Sequence, residues 1–210
     1  MRRVLLMALL ALALPVALFA DSSSQVDFGN SGGTLAGTNA GMTLTGSTLV
    51  LVNGYDGLGM ITGDLGTLAF STGALTSGNL QTGATFAGGG SFTVTANGTN
   101  GLPNGVIFQG TFSGAVQWQL FTLSNGTHDY TLTGPLTGTL IVGNQTIQVN
   151  GLTVQLTINT GKDYFNGWTS IASGNTNLVV SPEPGTLGLL GTGLVGIAGL
   201  VRYRRKINRP

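Results

Sequence analysis

The chain has 210 residues, a formal net charge of +1, 36 glycines, one histidine and no cysteine. The absence of cysteine excludes disulfides, thiol catalysis and thiolate metal sites together, and one histidine cannot build a multi-histidine metal centre within the chain. With only 7% charged residues, hydrophobic pattern and turn chemistry carry most of its structural information.

Residues 1–20 come first. Arg2 and Arg3 form a basic start, residues 4–19 form an apolar run, and Ala20 places a small residue before Asp21. That order predicts a secretory signal peptide, helical in its apolar part and read by the general secretion machinery. Leu18 is bulkier than the small residue preferred three back from the cut, which shifts cleavage by a few residues or leaves an uncleaved anchor as the alternative.

Residues 21–180 come next as one exported domain, rich in Gly, Thr, Ser and Asn and of a length that suits a single domain. Strand-like runs recur at 43–52, 91–96, 106–112, 116–123, 130–133, 136–142 and 146–149. Then Leu152, Val154, Leu156 and Ile158 alternate with Thr153, Gln155 and Thr157, the period-two pattern of a strand with one buried face. Between the runs stand Asn53-Gly54, Asn97-Gly98, Asn100-Gly101, Asn104-Gly105, Asn125-Gly126, Asn150-Gly151 and Asn166-Gly167, pairs that supply the positive φ of tight turns. No helical period of useful length appears. The prediction is an all-β fold, an antiparallel β-sandwich or barrel. Residues 31–90 are looser, and their Gly-Thr phrases leave a β-solenoid as the alternative.

Catalytic chemistry is sparse in this domain. His128 is read as an exposed residue near the turn at Asn125-Gly126, and Asp129 beside it points to the opposite side of a strand, so the two do not form an orienter and base. No Gly-x-Ser-x-Gly elbow stands out, and the only glutamate, Glu183, lies outside the domain. The chain is therefore expected not to be an enzyme and to need no cofactor. Asp56 and Asp64 lie in glycine-rich stretches, but the repeated pattern of calcium-binding rolls is missing, and turn-capping aspartates are the simpler reading. Asn97, Asn125 and Asn144 each begin an Asn-x-Thr triplet; for the first two the turn requirement already explains the asparagine. The densest chemistry is Lys162-Asp163-Tyr164-Phe165-Asn166-Gly167-Trp168. Its rings either close one end of the core, together with Trp118, or present Tyr164 and Trp168 as a carbohydrate- or partner-binding surface.

The last segment, 181–210, is the most specific. Pro182, Glu183 and Pro184 precede an uncharged run over 185–201, and Arg202, Arg204, Arg205, Lys206 and Arg209 follow. That run reaches the lower limit of about 17 residues for a bilayer-spanning helix, the prolines cannot lie inside it, and the basic end marks the cytoplasmic side. Arg2, Arg3 and this tail hold every basic residue but Lys162; residues 21–180 oppose that one lysine with six aspartates, a net charge of −5. A surface so poor in cations does not suit nucleic acid.

In its ordered parts, 182–184, 185–201 and 202–210, this tail resembles the PEP-CTERM sorting signal of Gram-negative bacteria. The resemblance implies recognition by exosortase, a membrane processing enzyme. It implies transient anchoring in the inner membrane, then delivery to the cell surface or outside the cell, where extracellular polysaccharide and biofilm matrix are the expected surroundings. The functional expectation is an exported surface or matrix structural protein, with a surface-anchored binding module as the alternative.

Overall fold

The computed structural model describes residues 25–159 and 161–180. The expected signal helix, the 182–184 motif, the 185–201 membrane helix and the basic tail lie outside the described residues. Among the described residues no helix is long and apolar enough to cross a membrane.

Among the described residues, twelve antiparallel strands succeed one another: β1 (Gln25–Ser31), β2 (Thr34–Thr38), β3 (Gly41–Asn53), β4 (Ile61–Ser71), β5 (Leu75–Asn79), β6 (Gly83–Phe86), β7 (Gly89–Asn97), β8 (Asn104–Phe112), β9 (Val116–Thr122), β10 (His128–Val142), β11 (Gln145–Asn159) and β12 (Trp168–Val180), with one 3₁₀ turn at Tyr55–Gly57. Several are halves of longer strands. β1 and β2 both lie between β3 and β12. The break at Gly32-Gly33 is bridged by Gly32 N–H donating to Ile171 O at 3.0 Å. β4 and β5 run on as one partner for β7 and β6, joined by Gly73 N–H to Ala87 O at 3.1 Å. β8 and β9 together pair with β7 and β6 on one side and β10 on the other.

Counted as continuous staves, the strands form an up-and-down meander of eight: β1–β2, β3, β4–β5, β6–β7, β8–β9, β10, β11 and β12. The last pairs with the first, Val26 opposite Leu178 and Trp168 opposite Ala36. The sheet is therefore a closed antiparallel barrel, which settles the expected all-β fold and removes exposed sheet edges. Residues 31–90, loose or solenoid-like by sequence, supply β2 to β6 and belong to the same wall.

An eight-stranded barrel has an interior about wide enough for side chains to fill. Phe70 stacks on Phe92 with ring centroids 5.6 Å apart, and Phe112 meets both edge-on at 5.6 and 5.9 Å. Phe108 continues the chain to Phe92 and Phe28, while Leu35, Met42, Leu44, Leu68, Val94 and Leu132 are buried around them. The buried core is thus largely apolar, although Asn30, Ser47, Thr153, Gln155, Thr157 and Thr176 are buried with it.

Three turn and strand-boundary details differ from the sequence reading. Asn104-Gly105 is not a turn but the start of β8, with Asn104 opposite Asn97 and Gly105 opposite Ala96. Asn150-Gly151 is not a turn. It lies inside β11, with Asn150 opposite Thr137 and Gly151 opposite Leu136; Gly151 is needed because a Cβ there would collide with Asn177 O and sit 2.6 Å from Leu178 Cδ2. The runs 130–133 and 136–142 are likewise one strand, β10, with Pro135 in its middle. Pro135 donates no N–H, and it lies where the neighbouring stave breaks between β8 and β9; there Ser113 N–H donates to Pro135 O at 3.0 Å.

The alternation along β11 is present, but inverted. Thr153, Gln155 and Thr157 are fully buried, while Leu152, Val154 and Leu156 face outward, Leu152 with 45% exposure. Inside, the polar groups satisfy one another. Asn30 Nδ2 donates to Ser47 Oγ at 2.9 Å and Gln155 Oε1 at 2.8 Å; Gln155 Nε2 donates to Asn30 Oδ1 at 3.1 Å and Thr153 Oγ1 at 2.9 Å. Thr153 and Thr176 hydroxyls lie 2.8 Å apart. Gly174 makes the room, since a Cβ there would overlap both Gln155 Oε1 and Asn30 Oδ1.

Candidate functional site

The aromatic segment before β12 divides into three fates. Phe165 is buried and plugs one end of the barrel, edge-on to Trp118 at 5.1 Å and to Tyr130 at 6.0 Å. Its position is set by polar bonds: Phe165 N–H donates to Tyr130 Oη at 2.9 Å, Tyr130 Oη donates to Gln81 O at 2.8 Å, and Trp118 Nε1 donates to Leu80 O at 2.9 Å. Trp118 stacks on Tyr130 at 4.7 Å. Burial, and secondarily the nearby Tyr164, push the Tyr130 phenol above its ordinary pKa, although the Phe165 N–H works the other way.

Tyr164 is 49% exposed and lies flat on His128, with ring centroids 4.4 Å apart and planes within 15°. His128 is therefore not the exposed turn residue expected from sequence; it is only 6% exposed beneath that ring, with Thr122 Oγ1 3.1 Å from Nδ1. Asp129 comes next, on the other face of β10. One of its carboxylate oxygens, Oδ1, is buried without a hydrogen-bond partner among the described residues. Trp168 opens β12 and is 65% exposed on the outer wall, beside Ala36 in the ladder. The fold thus brings Tyr164 to His128 and sends Trp168 to solvent.

The asparagines of the first two Asn-x-Thr triplets are held by turn chemistry. Asn97 Oδ1 accepts from Thr99 Oγ1 at 2.6 Å and Asn97 Nδ2 donates to Asp64 O at 2.9 Å; Asn125 Oδ1 accepts from Thr127 Oγ1 at 2.7 Å and Thr127 N–H at 3.0 Å. Asp56 occupies the 3₁₀ turn with φ +50. No group of three His, Cys, Asp or Glu that could hold a metal occurs among the described residues.

A surface feature that sequence reading missed is a groove of about 520 Å³ on the outer face of β5, β6 and β9. Ser77, Gly78, Gly83, Thr85, Gln117, Gln119 and Phe121 contribute to it. Only the pairing of three separate strands assembles these residues, so no local motif announced them.

Fold and surface together define an antiparallel β-barrel whose interior is occupied by its own side chains and whose chemistry faces outward. The C-terminal segment adds its address: a family model for the PEP-CTERM protein-sorting motif matches residues 182–205, so the chain carries that motif. The match takes in Pro182, Glu183, Pro184, the apolar run, Arg202, Arg204 and Arg205; Lys206 and Arg209 lie just past it. The motif implies an exported protein handled by an exosortase and sorted to the cell surface. No curated protein and no solved structure matches the chain.

Proposed function

We propose that the chain is a structural protein of the cell surface or extracellular matrix, delivered and processed by an exosortase acting on residues 182–205, with no catalytic role for its barrel. The sorting motif carries this reading. It begins at residue 182, two residues after β12 ends at Val180, so in the chain it directly succeeds the strand that closes the barrel. In this reading Pro182, Glu183 and Pro184 present an extended segment to the processing enzyme, because each proline holds its predecessor out of the helical region. The apolar run 185–201 is the transient membrane anchor, and Arg202, Arg204, Arg205, Lys206 and Arg209 hold its end in the cytoplasm. Residues 1–20 bring the chain to the secretion machinery.

The filled interior supports a structural role over an interior ligand site. The covered position of His128, with Tyr164 stacked on it, supports a non-enzymatic barrel. Mass spectrometry of the mature C-terminus in strains with and without the exosortase tests the sorting step. The expected result is a shortened chain only where the enzyme is present; a terminus at Pro210 in both strains overturns it.

The 65% exposure of Trp168 favours a second reading, a carbohydrate- or partner-binding module held at the surface. Tyr164→Ala and Trp168→Ala separate the two: lost retention in extracellular polysaccharide with unchanged folding favours the binding module, and unchanged retention favours the structural role.

A further inference from the structure

We propose that the groove across β5, β6 and β9 is a binding site for an extended neutral hexose polysaccharide. This goes beyond the sorting reading and does not involve Trp168.

The groove has a physical origin. Along the outer wall, β9 projects Gln117, Gln119 and Phe121 at alternate positions, all exposed, and Phe121 is 50% exposed. Opposite them stand short residues. Ala84 pairs with Trp118 and Thr85 with Gln117, which places Gly83 level with Gln119. Gly78 and Ser77 pair with Ala84 and Thr85 from the far side. The glycines leave a floor without side chains, walled by glutamines and closed at one corner by a phenyl ring.

Its chemistry selects the ligand class. No charged residue is among those lining it, so an ionic ligand would find no partner there. What it offers is the Ser77 hydroxyl and the Gln117 and Gln119 amides, groups that both donate and accept, together with the Thr82 and Thr85 hydroxyl oxygens as acceptors, the Thr82 proton being donated to Asn79 Oδ1 at 3.0 Å. Adjacent sugar hydroxyls also donate and accept, so each finds a complement. Thr85 Oγ1 donates to Gln117 Oε1 at 3.1 Å, which orients that amide and leaves its N–H donors for a ligand. Phe121 supplies an apolar ring face for the C–H face of a pyranose. The groove is shallow and open, and its 520 Å³ falls within the ~300–1,000 Å³ of ordinary ligand sites. An open trough lying across three strands suits a polymer that passes through it better than an enclosed small molecule.

The test uses the full 210-residue chain in a detergent without a sugar headgroup, run by affinity electrophoresis through gels containing dextran, hydroxyethylcellulose or galactomannan, with alginate as an anionic control. The expected result is retardation by at least one neutral polymer and none by alginate. Phe121→Ala and Gln119→Ala each weaken that binding by about fivefold or more with unchanged Tm. Absence of retardation by all three neutral polymers, preference for alginate, or binding indifferent to Phe121 and Gln119 overturns the proposal. Each of those failures leaves the C-terminal processing result untouched.

Discussion

Gln155 shows at the scale of one residue why a polar side chain sits inside an otherwise apolar barrel. It accepts from Asn30 and donates to Asn30 and Thr153, so its burial leaves no orphaned group and sets which strands face each other. Gln155→Leu removes one side of a reciprocal pair and leaves Asn30 Oδ1 without its donor. The expected loss is about 1–3 kcal/mol, read from the urea midpoint; unchanged stability would show that the network holds nothing. Asp129 is the opposite case, since Oδ1 is buried without a partner among the described residues. Asp129→Asn removes a formal charge from that site and is expected to raise the thermal midpoint. A lower midpoint would reveal a donor that depends on the carboxylate.

β11 shows what decides a face at the scale of an element. Its pairing with β10 runs without interruption from Val142–Gln145 to His128–Asn159, starting at the two-residue turn Gly143-Asn144. Ile147 and Val149 pack toward the core in the first half. Because the side-chain period is two, every second residue from there must also point inward, and Thr153, Gln155 and Thr157 do. Reading Asn150-Gly151 as a turn would have reset the face; as part of a continuous strand it cannot. The outward residues are therefore expected to be tolerant: Leu152→Thr, Val154→Thr and Leu156→Thr should each change stability by only about 0.5 kcal/mol. The inward Leu132→Ala should cost about 2–5 kcal/mol. Denaturation of the four variants checks the inversion, and a loss at Leu152, Val154 or Leu156 as large as that at Leu132 would contradict it.

The whole molecule is held by closure. β12 pairs with β1 and β2, so each stave has two hydrogen-bonded neighbours and the first and last strands are tied together. Buried phenols at two places on this wall make its stability sensitive to alkali. Tyr55 Oη donates to Ile141 O at 2.6 Å, and its pKa is raised by burial first and by the Asp56 charge second; Tyr130 is raised chiefly by burial. A folded pKa above the unfolded value of about 10 gives a contribution that is complete below pH ~10. Above it the unfolded chain releases its protons first, and that stability is lost as the pH rises through the folded values. The urea midpoint should therefore be lower at about pH 11 than at about pH 8, with phenolate absorbance appearing together with unfolding. Free titration of both phenols in a chain that stays folded would contradict this.

The sequence by itself determined the address and the material: the succession of Pro-Glu-Pro, apolar run and basic end within 182–205 is a local pattern, and the strand rhythm and most Asn-Gly turns are set by neighbours a few residues apart. It also determined that no thiol or multi-histidine chemistry is available. Only the tertiary structure decided that the strands close into a barrel, that Gln155 lies inside and Leu156 outside, that His128 lies under Tyr164, and that Gly83, Gln119 and Phe121 share a groove. Those outcomes depend on which strands pair and in what register, and pairing joins residues far apart in the chain, where no local pattern reaches.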